Sequence, residues 1–368
     1  ARGICRAMQI ALIATHHCDY AANLARSLAA RHRVLLVLSA RSAKRQIAPD
    51  ALAALRDKVT LRIVPHHYAP LQPLIAFLCA RHVHSFAPDV VHVQEHPTRS
   101  MGLLARRLRG RYPLVTTVHD PRSHSGNDAR AAQRFESYYE RLRGLSDRLI
   151  VHGEALVAML AETGIDRARI RSIMHGVLFF GRTQPPAARP VERDRVIFFG
   201  RAEAYKGLDT LLAAQKLWQE RGSTMRLLVA GAGPEIAAHR EELQRDGIEL
   251  HEGRVPQDEL AQLVGSSLAA VLPYHDATQS GVIASAFGAG RPVVATNVGA
   301  LAEAVGEAGL IVPPGDPEAL AAAVMRLGSE QGLVERLEKE VENRVAGSLG
   351  WDAIAADTEA VYKELTAE

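Results

Sequence analysis

Residues 273–303 read PYHDATQSGVIASAFGAGRPVVATNVGALAE, and the reading of the whole chain turns on them. The preceding residues, 268–272, form a short apolar run of strand type, 276–281 are polar and loop-like, and 282–289 have helical character. Gly290 ends that helix and Pro292 opens a new strand at 293–295. At a helix start several backbone N–H groups lack an internal partner and the macrodipole is positive, so an anion is stabilised there without a metal. Thr278, Ser280 and Gly281 are small enough to let a phosphate reach that backbone. The same succession serves any βαβ crossover, and this stretch alone does not separate a phosphate cradle from a plain crossover.

Working outward, strand patterns at 195–200, 225–230 and 248–252 alternate with helix patterns at 208–220, 234–246 and 257–265. Helices are expected again at 317–328, 333–346 and 351–365. The first half has the same rhythm. Strands are expected at 8–15, 33–38, 59–64, 89–93, 114–119 and 147–152, with helices at 21–32, 71–86, 134–145 and 153–163. Alternation of this kind implies two parallel sheets with ligands at the C-terminal ends of their strands. Residues 183–190, TQPPAARP, read as the linker between them. The expected division is an acceptor-side Rossmann-like domain at 8–180, a nucleotide-sugar-binding one at 181–350, and a crossover helix at 351–368 that packs back on the first.

At 368 residues and 47% hydrophobic, the chain can bury a core large enough for two domains. No apolar run approaches bilayer length; residues 74–80 come closest. ARGICRA, ahead of Met8, is expected to be an upstream extension rather than part of the fold, and it holds no apolar signal segment. Cys5, Cys18 and Cys79 have no metal-ligand spacing and fit a reducing, cytoplasmic setting. Residues 1–182 carry 27 basic against 13 acidic side chains and residues 183–368 carry 17 against 28, although the whole chain is only +3. A basic half beside an acidic one suggests that the first faces something anionic. Its densest cluster is Arg106, Arg107, Arg109 and Arg111, although a helix end favours cations in any case. No stripe of interleaved aromatic and basic residues appears, so nucleic acid is not expected.

Several short motifs now coincide. The second half contains Gly200-Arg201 with Lys206-Gly207, Gly231-Ala232-Gly233-Pro234-Glu235, Gly253-Arg254-Val255-Pro256, Gly290-Arg291-Pro292-Val293, and Val298-Gly299 with Glu303. The first half contains His119-Asp120 and His175-Gly176-Val177. Together these resemble the retaining family 4 glycosyltransferases (GT4) of the GT-B fold over essentially the whole chain. The resemblance implies an α/β protein of two Rossmann-like domains facing a cleft, with hinge closure over a nucleotide-sugar donor.

The resemblance also implies roles. Arg201 and Lys206 would grip the diphosphate, and His119 would reach the donor sugar; these three are the expected catalytic residues. Arg254 and Val255 would meet the nucleobase, while Thr278, Gln279, Ser280, Gly281, Val282, Ile283 and Ser285 would complete the donor site. His16, His17 and Arg122 are candidates for the acceptor side. No Asp-x-Asp pair occurs, so no metal and no cofactor is expected, only a UDP- or GDP-linked sugar as substrate. His16, His17, His92 and His96 follow strand ends and do not read as a zinc site.

Two family carboxylates are absent: their positions fall on Ser285 and on Ala277 or Thr278, with Asp276 as a candidate substitute. Thr15-His16-His17-Cys18-Asp19 also stands where a glycine-rich loop is usual. The leading expectation is a cytoplasmic hexosyltransferase, peripheral at the inner face of the plasma membrane, that serves a lipid-linked or polysaccharide acceptor. A catalytically weakened partner subunit and a transferase for a soluble small molecule remain open beside it.

Overall fold

The computed structural model describes residues 6–66, 69–122, 136–187 and 190–366. Its framework is two parallel sheets. The first contains β1 (Gln9–Ala14), β2 (Arg33–Ser39), β3 (Thr60–Val64), β4 (Val90–Gln94), β5 (Leu114–Thr117), β6 (Arg148–Val151) and β7 (Ile170–Ser172), in the order β3-β2-β1-β4-β5-β6-β7. The second contains β8 (Glu192–Arg201), β9 (Arg226–Ala232), β10 (Ile248–Glu252), β11 (Ser267–Leu272), β12 (Val293–Thr296) and β13 (Gly309–Val312), in the order β10-β9-β8-β11-β12-β13. Ile10 pairs with Val34 on one side and with Val90 on the other, so the first sheet's order reverses at β1. In the second it reverses at β8, between β9 and β11. Crevices beyond the strand C-termini open at such switch points.

Parallel strands covered on both faces must be apolar without alternation. Leu35–Leu38 and Leu268–Leu272 obey this and are buried throughout. In the first half the covering helices are α1 (Cys18–Leu28), α2 (Ala40–Gln46), α3 (Pro49–Arg56), α4 (Gln72–Phe86), α5 (Arg99–Leu108), α6 (Glu136–Leu145) and α7 (Glu154–Ala161). In the second they are α8 (Leu208–Glu220), α9 (Pro234–Ala238), α10 (Gln257–Ser266), α11 (Gly281–Gly288), α12 (Leu301–Val305), α13 (Pro317–Ser329) and α14 (Leu333–Ala346). The last helix, α15 (Trp351–Thr366), returns to the first half and lies on α1. Trp351 Nε1 donates to the Val177 carbonyl at 2.8 Å, and Glu359 accepts from Arg31 at 3.1 Å.

Some expectations change. The helix expected over 234–246 stops at Ala238 and resumes only as a 3₁₀ turn, Glu242–Gln244. Ile236 and Leu243 are its buried side chains, too few to hold a longer helix against the sheet. His119 and His152 lie just beyond their strands rather than inside them. Sequence periodicity missed α2, α3, α12, β7 and β13, all short; Ser42 and Ala43 are the only buried residues of α2. Among the described residues no helix is long and apolar enough to cross a membrane.

Candidate functional site

The second sheet's switch point carries the cations. At the end of β8, Gly200 has φ 101°, and a β-carbon there would stand 3.6 Å from Lys206 Nζ and 3.8 Å from a Val282 methyl. The strand end, Lys206 and the first turn of α11 therefore converge. Gly207 (φ 67°) permits this, since a β-carbon on it would lie 2.0 Å from the Pro273 carbonyl oxygen. Lys206 is 8% exposed, and its ammonium sits 5.1 Å from the centre of the Tyr274 ring. Burial, with Arg201 beside it, brings Lys206 down to about 8. The Arg201 side chain remains 62% exposed, 3.8 Å from the Glu203 carboxylate.

Ser280 caps α11: its Oγ accepts from the Val282 N–H at 3.2 Å. Buried Tyr274 lies beside Ser280. Gln279 presents a buried Oε1 with no hydrogen-bond partner. Ile283 is buried, whereas Gly281, Val282 and Ser285 are half-buried along the helix start. Gly299 (φ 52°) lets the next loop close on this one, where a β-carbon would lie 2.1 Å from the Ala277 carbonyl. Past β10, the Gly253 N–H donates to the Gly231 carbonyl at 2.8 Å, setting exposed Arg254 and half-buried Val255 beside the β9 end.

Histidines line the first sheet's strand ends. His119 is 2% exposed, with Nε2 2.9 Å from Gln94 Oε1 and Nδ1 3.2 Å from His152 Nε2. Both ring nitrogens thus face protein groups rather than the open cleft. His17, held at φ 52°, stacks on His119 with ring centres 3.7 Å apart. Exposed His16 stacks on His96 at 5.4 Å, and His96 contacts Thr15 Oγ1 at 2.9 Å. His92 lies deeper, between Thr117 Oγ1 (2.7 Å) and the Tyr362 hydroxyl (2.6 Å). Arg122 forms an exposed ion pair with Glu162.

Two contacts tie the lobes together at the cleft. Thr278, 3% exposed, donates its hydroxyl to an Asp120 carboxylate oxygen. This sets an acidic group from the first lobe against Thr278, one of the two positions on which the first missing family carboxylate was expected to fall. Glu303 accepts from the Glu154 N–H at 2.8 Å, at the N-terminus of α7. The loop bearing Asp120 is itself anchored by buried Arg143, which donates to the Asp120 carbonyl at 3.0 Å and to the Pro121 carbonyl at 3.0 Å. Arg143 also grips Glu95 with two bonds of 2.7 and 2.8 Å. Sequence reasoning had not assigned roles to Asp120, Tyr274, Gln94, Glu95, Arg143, His152 or His175. Asp120 and His175 had figured only as members of the His119-Asp120 and His175-Gly176-Val177 motifs, and Gln94 and His152 end or directly follow strands.

Chemically, the cleft sets two cations and a capped helix start opposite a wall of neutral imidazoles, with one carboxylate between. That arrangement suits a polyanion beside a hydroxyl-rich group. The family model for Glycosyl transferases group 1 matches residues 193–330, and that for Glycosyltransferase Family 4 matches residues 19–177. A D-inositol 3-phosphate glycosyltransferase of Thermomonospora curvata is 30% identical over 299 residues, covering 72% of this chain and 69% of the relative. A glycogen synthase of Mycobacterium tuberculosis is 28% identical, covering 76% and 69%. Among solved structures, the sucrose-phosphate synthase of Thermosynechococcus elongatus has a TM-score of 0.70 at 22% identity, covering 98% of this chain and 99% of that one. The HepE protein of Anabaena, solved with UDP-glucose, has a TM-score of 0.68 at 13% identity, covering 98% and 100%. At these identities the two structures establish the shared fold.

Proposed function

Because this chain belongs to the family 4 glycosyltransferases of the GT-B fold, and is therefore a nucleotide-sugar glycosyltransferase, we propose that it moves a hexosyl group from a UDP- or GDP-sugar to a lipid-linked or polysaccharide acceptor, with retention at the anomeric carbon. The observation that carries this reading is the convergence of Lys206, Arg201 and the α11 N-terminus. As the glycosidic bond breaks, negative charge builds on the β-phosphate; preorganised cations and backbone donors stabilise it at no reorganisation cost. These groups supply the positive charge that a diphosphate needs, so a divalent ion on the diphosphate is not required. Arg254 and Val255 would border the base, and the orphaned Gln279 Oε1 would accept from a sugar or ribose hydroxyl. His17, stacked over His119, presents the imidazole wall to the donor sugar, with His16 toward the acceptor side. Asp120 would supply the carboxylate that the second lobe lacks. This last point favours an active enzyme over a non-catalytic partner subunit.

The acceptor side is strongly basic, and Arg106, Arg107, Arg109 and Arg111 are all exposed at and beyond the end of α5. The neighbouring α4 exposes Leu74 and Phe77. An exposed basic cluster on one helix and exposed apolar groups on the helix packed against it suit a cytoplasmic protein docked on an anionic membrane face. Curated relatives named D-inositol 3-phosphate glycosyltransferase favour a second reading, a small phosphorylated acceptor.

Thermal stabilisation by UDP, GDP, ADP, TDP and CMP, with and without magnesium, tests the donor reading. One nucleoside diphosphate should raise the melting temperature without magnesium. Stabilisation by none at millimolar concentration would overturn it. Salt-sensitive sedimentation with vesicles containing phosphatidylglycerol separates the acceptor readings: binding supports the membrane acceptor, and its absence favours the soluble one.

A further inference from the structure

Beneath the imidazole wall, three histidines converge from three different strand ends. His119 follows β5, His152 follows β6, and His175 follows β7. One nitrogen from each lies within 4.8 Å of the others. His119 and His152 are buried and His175 is half-buried. Their ring centres are 4.8, 4.9 and 6.0 Å apart. The Tyr20 ring meets all three at 5.0–5.3 Å and closes one side.

One nitrogen of each ring meets a carbonyl oxygen. His119 Nε2 donates to Gln94 Oε1 at 2.9 Å, His152 Nδ1 to the Ile173 carbonyl at 3.0 Å, and His175 Nδ1 to the Gly176 carbonyl at 2.7 Å. A neutral imidazole has one N–H, so the opposite nitrogen of each ring carries a lone pair. The lone pairs of His119 Nδ1 and His152 Nε2 then face each other at 3.2 Å with no hydrogen between them. A cation placed there removes the conflict. Two nitrogens on one tetrahedral zinc ion, each at ~2.0–2.1 Å, stand ~3.3–3.4 Å apart, close to this spacing. Carbonyl acceptors behind each ring are also what fixes the tautomer of metal-bound histidines.

We propose that His119, His152 and His175 form a binding site for a divalent cation of the zinc class, with its fourth position toward the half-buried His175 side. Three neutral imidazoles and no thiolate suit zinc, cobalt, nickel or copper rather than magnesium or calcium. The ion would lie under His119 rather than on the diphosphate. It would hold three loops of the first lobe together and set the surface on which His17 stacks, making it a positioning centre. The competing arrangement turns the Gln94 amide over: its NH₂ group would donate to His119 Nε2, and the His119 Nδ1–H would donate to His152, with no ion needed.

The experiment is a titration of the tag-free, chelator-treated full chain with cobalt(II) chloride, followed by visible absorption and circular dichroism. One equivalent should produce a ligand-field band, which zinc(II) should abolish by displacement. The band should be lost in His152→Ala and in His175→Ala and kept in His96→Ala. Absence of any band in folded wild-type protein would overturn the proposal in favour of the turned amide. A band that survives in both ligand variants would overturn it as well. The readout does not use transferase activity, so it stands apart from the donor reading.

Discussion

Thr278, on the loop that caps α11, donates its hydroxyl hydrogen to the carboxylate of Asp120, 158 residues away on the other lobe. The contact spans the cleft, so it links lobe docking to the chemistry. Asp120→Asn and Thr278→Val should each lower stability by about 1.5–3 kcal/mol, the range for a hydrogen bond to a charged group. The double variant should lose little more than either single one. Urea denaturation of the full cycle measures the coupling, and purely additive losses would show that the bond does not hold the lobes. Asp120→Asn should also reduce kcat/KM.

Arg201→Ala and Lys206→Ala should each weaken nucleoside diphosphate binding about 10- to 100-fold, as expected from losing one charge-assisted contact of about 1.5–3 kcal/mol. Isothermal titration of each variant checks this. Undiminished affinity in both would place the diphosphate elsewhere.

Lys206 gives the binding a pH signature. Burial first, and Arg201 second, bring it to about 8 in the free protein. Below that value it is charged and attracts the diphosphate, so affinity should fall as pH rises through about 8. Lys206→Arg should remove that step. The stability of the unliganded chain should move the other way: between about 8 and the ordinary lysine value the unfolded chain binds the extra proton, so rising pH favours folding. A pH-independent affinity between 7 and 9, on the order of two titration widths, would argue against a charged Lys206 at the phosphate.

Glu95→Ala leaves the Arg143 guanidinium buried without its carboxylate. Breaking a buried pair in this way costs about 3–5 kcal/mol. Burial pushes Glu95 up and Arg143 opposes it, so the pair depends on both partners. Because Arg143 also holds the carbonyls of Asp120 and Pro121, the variant should lose denaturant resistance and nucleotide-dependent activity together. A loss below about 1 kcal/mol, the worth of an exposed pair, would show that solvent reaches the site.

The fold was readable because its determinants are local. A strand buried on both faces writes a continuous apolar run, and nearly all longer elements, from Gln9–Ala14 to Trp351–Thr366, were legible in this way. The segment after Pro234 was misread because its polar residues have helical propensity but no core to cover. Arg201, Lys206 and Ser280 were singled out because they stand in short motifs, at or after strand ends, that resemble those of the family; the structure brings Lys206 and the α11 start together at the end of β8.

By itself, then, the sequence determined two parallel sheets and the capped helix start that follows β11, since each follows from residues within one turn or one strand. Only the tertiary structure decided what the strand-end loops do to each other. It packed the two His119 nitrogens against Gln94 and His152, brought His175 beside them, and set Asp120 against Thr278. These contacts join residues between 23 and 158 positions apart along the chain. Periodicity and propensity carry no information at that range; sheet order and strand length do, because they fix which loop ends meet over the cleft.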